Sequence, residues 1–443
     1  MLTTRRTMLQ VTGASALAAP FIRPARAATT VRLAIWDHWV PGANEVFDQL
    51  ATAWGKENGV EVIVDHITHI GSKLEVTTAA ESRSQTGHDA LSLPTFFPAI
   101  YAEQLEPVDD LMAELSGKYG EPAELGSYLG KIDGTWRALP TCTGWQGFAM
   151  NSRLDYYKEF TGLDLRALFP AGERDQAKID EVWTYATFLD AAKKLHAAGH
   201  AWGNPIGPTG DSQNWIGPVF YAFGSQVMDA DGNITLDSDA TREALSFMEE
   251  LASVMPDDVY AWDDAGNNRW LISGRGSGIS NSPSPWAVAK RDAPEVAEQI
   301  WHHDMPGGPN GRYIGGSPMF WGIWEFSTEK QAAKDLMLHM VQKEQQAALI
   351  QASQGYDLPP FPAFSDNPVW PESGPPAGTL YNYPPRGNET FYIAGLPAPP
   401  QVCAQIYVQG LFGNLVAQVT QGGMSHDDAI AWATGEIEGF QRG

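Results

Sequence analysis

Positive charge is scarce in this chain. Its 443 residues carry 29 Lys and Arg against 53 Asp and Glu, a formal net charge of −24. Nucleic acid and anionic membrane surfaces are both recognised by clustered Lys and Arg, so neither is expected as a partner. Cysteine is scarcer still, with only Cys142 and Cys403 and no C-x-x-C. The modestly apolar stretch 8–22 is short and broken by Gly13 and Pro20, which argues against a retained membrane span. Catalytic signatures are missing too: there is no H-E-x-x-H, G-x-S-x-G or P-loop. The Gly-rich GRGSG at 274–278 lacks dinucleotide spacing. DADGN at 229–233 reads as a hairpin turn, because a calcium loop needs a later Gly and a terminal Glu. The acid pairs Asp109-Asp110, Asp257-Asp258 and Asp427-Asp428 fall where helices begin or end and read as capping or solvated charge. Paired acids for glycoside hydrolysis need no local motif, so that chemistry stays open.

What is present is aromatic: 16 Trp, 14 Tyr and 18 Phe. They fill large cores, or several line a wet site, where Trp and Tyr offer a flat apolar face with a polar handle. The length predicts two domains. Residues 1–27 look like a twin-arginine export signal. Arg5-Arg6 precede the apolar stretch, and Ala25-Arg26-Ala27 forms a small-residue cleavage site. Cleavage there removes four arginines and no acids, which moves the net charge from −24 to −28. The expected location is the periplasm. An oxidising compartment permits a Cys142–Cys403 bridge, but export after folding makes one less necessary, and the sequence leaves the pairing open.

Beyond the signal, VRLAIWDHW (31–39), VEVIVDHI (60–67) and HDALSL (88–93) read as strands. They alternate with helices over 45–59 and from Ser72 onward. This β-α-β-α-β pattern predicts an α/β sheet whose ligands meet the loops at the strands' carboxyl ends. Further on, AEQLEPVDDLMAEL reads as helical, 131–154 as hairpin-like, 181–199 as one amphipathic helix, and 228–254 as a turn, strand and helix capped near Asp237 or Ser238. Then come a strand-like MFWGIWEF, a helix over 330–353, Pro/Gly-rich irregular loops over 359–400, and two closing helices.

Several segments resemble the extracellular solute-binding proteins of carbohydrate ABC importers, the group that includes maltose-binding protein. DGTWRALPTCTGWQGFAMNSRL is similar to that family's crossing strand. EVWTYATFLDAAKKLHAAG is similar to its "TWDEFLAAAKKL" helix, and GRGSGISNSPSPWAVAK stands in the place of "AAMTINGPWA". The stretch DMPGGPNGRYIGGSPMFWGIWEF resembles the family's "LPGGPGGRY…GG" strand, and the helix over 330–353 resembles the one that comes after that strand. Ser280-Asn281-Ser282 and the long 359–400 loop depart from the pattern. The resemblance implies a two-lobed, type II periplasmic-binding fold with the ligand cleft between lobes joined by crossing strands. One lobe is 28–143 plus 321–362, the other 147–314 plus 366–443, with crossings near 143–147, 315–320 and 361–365.

It also implies the site. Trp286, in NSPSPWAVA, is expected to stack on a sugar ring from a turn stiffened by prolines, the alternative being a core ring. Trp36, Asp37 and His38 end the first strand and either meet ligand or form a plain polar loop. Phe96 and Phe97 are expected to split, one inward and one outward. Trp145 and Gln146 lie on the crossing strand, Asn214 and Trp215 in a polar-aromatic cluster with Gln213, and Asn281 before the Trp286 turn. Tyr407 is offered by a helix over 400–407, and Gly315 and Gly316 permit close backbone approach at a hinge. Trp136, Trp183, Trp202 and Trp432 are left to packing. The expected function is capture of a sugar, oligosaccharide or polyol for an ABC permease, by a monomer that is not an enzyme and needs no cofactor or metal. Lys73, Arg275, Arg312 or Arg386 turned inward would instead favour an anionic non-sugar or a sugar acid. A secreted carbohydrate-active enzyme is the other alternative.

Overall fold

The computed structural model describes residues 29–372 and 390–442. The export signal and Arg386 lie outside the described residues. The first third of the chain folds as its periodicity predicts. Strands β1 (Thr29–Trp36), β2 (Val60–Ile67) and β3 (Ala90–Pro94) alternate with helices Ala43–Asn58 and Lys73–Ser84. The first helix stops where Gly59 takes the left-handed conformation and returns its N–H to the Gly55 carbonyl. β1 pairs in parallel with β2 along its whole length, Thr29 opposite Val60 through to Trp36 opposite Ile67, and with β3 on its other edge. The carboxyl ends of all three strands therefore open onto one rim.

A small hairpin, β4 (Lys131–Ile132) and β5 (Thr135–Trp136), precedes the long β6 (Leu139–Arg153). The hairpin-like reading of 131–154 thus covers only its first residues. The rest of the strands are β7 (Gly278–Asn281), β8 (Ile300–His303), β9 (Tyr313–Ile323) and β10 (Thr390–Tyr392). The order is β2-β1-β3-β9-β6-β7, with β10 on β9 and β8 on β6. β6 and β9 are the strands common to two helix-covered halves. The end of β9 pairs with β3 on one edge and with the start of β6 on the other, and the end of β6 pairs with β7 and β8.

The helices of the second half depart from the sequence reading in their breaks. Residues 181–199 divide at Thr184, whose hydroxyl caps the helix Tyr185–Ala197 and ends the preceding Gln176–Val182. The helix expected over 330–353 is two, Lys330–Met340 and Lys343–Ala352, and the closing pair is three, Pro400–Val408, Leu411–Thr420 and His426–Arg442. Ser238 caps Asp239–Ala252, as expected. The acidic segment is helical only from Asp109 to Tyr119, after a short 3-10 turn at Ala102–Gln104. Gly315 sets how closely the second half packs. A Cβ there would fall 1.8 Å from the Asn214 carbonyl oxygen, so only glycine lets the helix Gly210–Phe223 lie on β9. Among the described residues no single helix is long and apolar enough to cross a membrane.

Candidate functional site

The site begins with a defect in the long strand. Thr141 pairs with Met319 and Gln146 with Ser317, so four residues of β6 stand opposite the single Pro318 of β9. The bulge is bent by Gly144, held at φ 90°, where a side chain would press on the Trp36 ring at 2.8 Å. A bulge frees backbone polar groups that must find other partners. Here the Gly144 N–H donates to Asp357 Oδ1 at 2.8 Å, the Cys142 N–H to Gln346, and the Trp145 carbonyl accepts from Leu358.

Asp357 also binds His38. His38 Nδ1 accepts from the Val40 N–H at 2.9 Å, which leaves the ring proton on Nε2, and Nε2 donates to the Asp357 carboxylate at 3.1 Å. Both side chains are only 2% exposed. The loop after β1 is thereby tied to the bend in β6. Asn44 braces it from outside, accepting from the His38 N–H and donating to Asp37.

Around this tie sits a small apolar cluster separate from the main core: Trp36, Val40, Leu74, Met319 and Tyr356, joined by Ala287 from the helix Ser284–Asp292 of the second half. The Trp36 and Tyr356 rings stack at 6.1 Å, and Tyr356 donates its hydroxyl to Gln146 at 2.5 Å. Trp36 Nε1 is buried with no partner. Burying Ala287 against Trp36 rewards approach of the two halves.

A polar flank adjoins this cluster. Thr209 caps the helix Gly210–Phe223, and Asp211 in its first turn accepts from Asn267 and Asn281 while its own N–H donates to Asp264. Asn281 reaches on to Asn268, and Asn268 to Ser284. From the first half His69 pairs with Glu75 at 2.5 Å. Burial, and then the charge of Asp264, push the Asp211 carboxyl well above the usual carboxylate range. Burial also raises Asp264, helped by Glu75 from across the gap and opposed by the Asp211 N–H and by His69. Burial presses the His69 imidazole down, but its hydrogen bond to Glu75 and the charges of Glu75 and Asp264 together hold it above its ordinary value. Phe96 meets Tyr407 at 5.4 Å, and Tyr407 accepts from Asn214 at 2.9 Å.

A carboxyl whose folded pKa is raised weakens the fold once it is ionised, and the penalty fades as falling pH protonates it. Asp211→Asn should therefore raise the thermal midpoint at pH 8 by roughly 2–4 °C. The gain should shrink as pH falls toward the ordinary carboxylate range. Calorimetry across pH checks it; a lower midpoint at pH 8 would contradict the assigned burial penalty.

Of the residues expected from sequence, Trp36, His38, Phe96, Gln146, Asn214, Asn281 and Tyr407 gather along this seam. Others turn elsewhere. Phe97 is buried like Phe96, so the pair does not split inward and outward. Trp215 packs on Trp202 and donates to the Pro205 carbonyl, and Trp145 lies against Phe320 and Gly126. Gly316 backs onto Leu125 and Phe391. Trp286 is buried, with Lys290 Nζ 4.5 Å over its ring and His302 edge-on; its neighbour Ala287 is what reaches the Trp36 cluster. Tyr356, Asp357, Glu75, Asp211 and Asp264 were not anticipated, whereas His69 lies in the loop 68–72 after β2, one of those expected to meet ligand at the strands' carboxyl ends. The one signal for the first two was an aromatic-acid pair directly after Gly355, akin to Trp36-Asp37. Lys73 and Arg275 are exposed, and Arg312 is buried on Asp180 and the Met305 carbonyl.

A hollow of about 840 Å³ lies elsewhere in the second half, floored by Tyr185, Phe223 and Phe247 and rimmed by Gly308, Glu250 and Arg312. Its Arg312 and Glu250 are occupied by Asp180 and Lys193. Both cysteines are buried free thiols, Cys142 on the Gln346 carbonyl and Cys403 on Gly395. No three His, Cys, Asp or Glu side chains converge as metal ligands among the described residues.

Residues 49–375 match the family model described as bacterial extracellular solute-binding protein. Solved structures match along almost the whole chain. The maltose-bound MalE3 of T. maritima is 19% identical, with a TM-score of 0.73, and the match covers 93% of this chain and 99% of that one. An ABC transporter solute-binding protein of Thermotoga lettingae bound to α-D-tagatose is 15% identical, with a TM-score of 0.71 and the same coverage. So is a sugar transporter of Arthrobacter chlorophenolicus with bound laminaribiose, at 15% and 0.71. These likenesses identify the fold as the two-lobed, type II periplasmic-binding architecture. No curated protein sequence matches.

Proposed function

From the premise that the chain belongs to the bacterial extracellular solute-binding proteins, we propose that it captures a carbohydrate between its two lobes and delivers it to an ABC permease. The lobes are 28–143 with 321–362 and 147–314 with 366–443. Export through the signal at 1–27 takes the protein to the periplasm. The observation that carries this reading is the seam itself. Trp36 stacks on Tyr356 and meets His69, which holds Glu75, and Phe96 meets Tyr407 of the other lobe, whose hydroxyl lies by Asn214 and Asp264. A sugar or polyol has this dual character, with C–H faces that pack on rings and hydroxyls that need directional partners. Relatives of the same fold hold maltose, tagatose and laminaribiose. Trp286 enters as support for Ala287, while Trp36 and Tyr407 supply the ligand-facing rings.

The test is a melting-temperature panel of the purified chain against neutral and amine-bearing sugars, oligosaccharides, polyols and sugar acids. A ligand at a hundred times its Kd stabilises the native state by about 2.7 kcal/mol. At least one neutral or amine-bearing carbohydrate should raise the midpoint measurably and be recovered unchanged. A response confined to sugar acids, or release of a hydrolysed product, would overturn the reading.

A further inference from the structure

We propose that the solute taken by this cleft is positively charged: an amine-bearing sugar or polyol. The inference rests on the carbohydrate-capture reading and narrows its substrate class.

Three carboxyls line the place where the lobes face each other without converging on one point, Asp211 and Asp264 from one lobe and Glu75 from the other. A Cβ on Gly210 would meet both the Tyr407 hydroxyl, at 3.7 Å, and Asp264 Oδ1, at 3.8 Å, and Asp264 accepts from the Asp211 N–H; Glu75 holds His69 from the first lobe. Opposite them stands one imidazole, His69. No Lys or Arg is paired with any of the three among the described residues. The acids alone would not single out a cation, since carboxylates also accept from sugar hydroxyls. The atoms left without partners do. Asn214 is 3% exposed, gives its amide N–H to Tyr407 beside the acids, and keeps its Oδ1 buried with nothing donating to it. Glu75 Oε2 is likewise buried and unpartnered. Both are acceptors. A hydroxyl brings one hydrogen and two lone pairs, and those lone pairs would need donors in turn. An ammonium brings three hydrogens and no lone pair.

Charge balance points the same way. Glu75 and Asp264 face each other from the two lobes, like charges whose mutual cost an included cation removes. A metal ion does not fit the part, because the carboxyls do not converge as a ligand set. The net charge of −24 adds long-range attraction for a cationic solute.

Calorimetric titration of the purified chain tests this with matched probes: glucosamine, N-acetylglucosamine and glucose; galactosamine and galactose; N-methylglucamine and sorbitol. In at least one set the amine should bind at least about tenfold tighter than its hydroxyl counterpart at neutral pH and low salt. N-acetylation should abolish the advantage, and added salt should shrink it. Asp264→Asn and Glu75→Gln, two near-isosteric changes from opposite lobes, should each reduce it about tenfold or more while the variant still unfolds cooperatively. Equal or tighter binding of the neutral member in every set overturns the charge inference and leaves carbohydrate capture standing. Binding by no member, together with a silent neutral panel, removes the capture reading and this inference with it.

Discussion

Gly144→Val should abolish high-affinity capture while both lobes stay folded. The residue sits at φ 90°, where an L side chain is strained and a β-branched one more so. Its Cβ would lie 2.8 Å from Trp36 Cε3 and 2.9 Å from Met319 Cε, both members of the cluster that draws the lobes together. Relief requires moving the Trp36 ring or rotating the bend, and rotation takes the Gly144 N–H from Asp357. Kd should rise by about a hundredfold or more, equivalent to about 2.7 kcal/mol, with Gly144→Ala intermediate. Titration with the best carbohydrate of the panel, alongside far-ultraviolet circular dichroism, checks it. Unchanged affinity in the valine variant would place the moving joint elsewhere.

Asp357→Ala should be the most damaging single truncation for stability at the seam. The carboxylate accepts from His38 Nε2 and from the Gly144 N–H, and neither donor has water nearby to replace it, since both side chains of the pair are 2% exposed. Each stranded buried donor costs about 1–3 kcal/mol, so urea denaturation should show a loss of about 2–5 kcal/mol. Asp357→Asn keeps one oxygen acceptor and should lose less than half as much. If the alanine variant unfolds at the wild-type midpoint, the tie between the β1 loop and the β6 bend contributes nothing.

The parts of the fold legible in the sequence are those fixed by local periodicity. β1, β2, β3 and the helices between them alternate with clear polar stops, among them Gly59. Longer elements hid their breaks. Lys330–Met340 and Lys343–Ala352 carry one continuous helical pattern, broken where Gln342 turns extended and its side chain accepts from Lys118 and Tyr119, far away in sequence. β10 pairs with β9 from within a stretch whose prolines and glycines read as pure loop. At the site the same division holds. His38 and Tyr407 were visible because they flank recognisable segments. Asp357 was not, because its role depends on a bulge 213 residues earlier in the chain. Asp211 was hidden as an ordinary first-turn acid; its partner Asp264 arrives from a different loop. Trp286 misled in the opposite sense, since a large ring at a turn-helix junction looks displayed until its helix is packed.

Amide hydrogen exchange with and without the bound carbohydrate tests the central claim, that the ligand is enclosed at this seam. Protection should appear together at residues 36–40, 69–75, 143–146, 211–215, 264–268 and 356–358, from both lobes at once. Protection confined to one lobe, or centred on the hollow floored by Tyr185, Phe223 and Phe247, would contradict it.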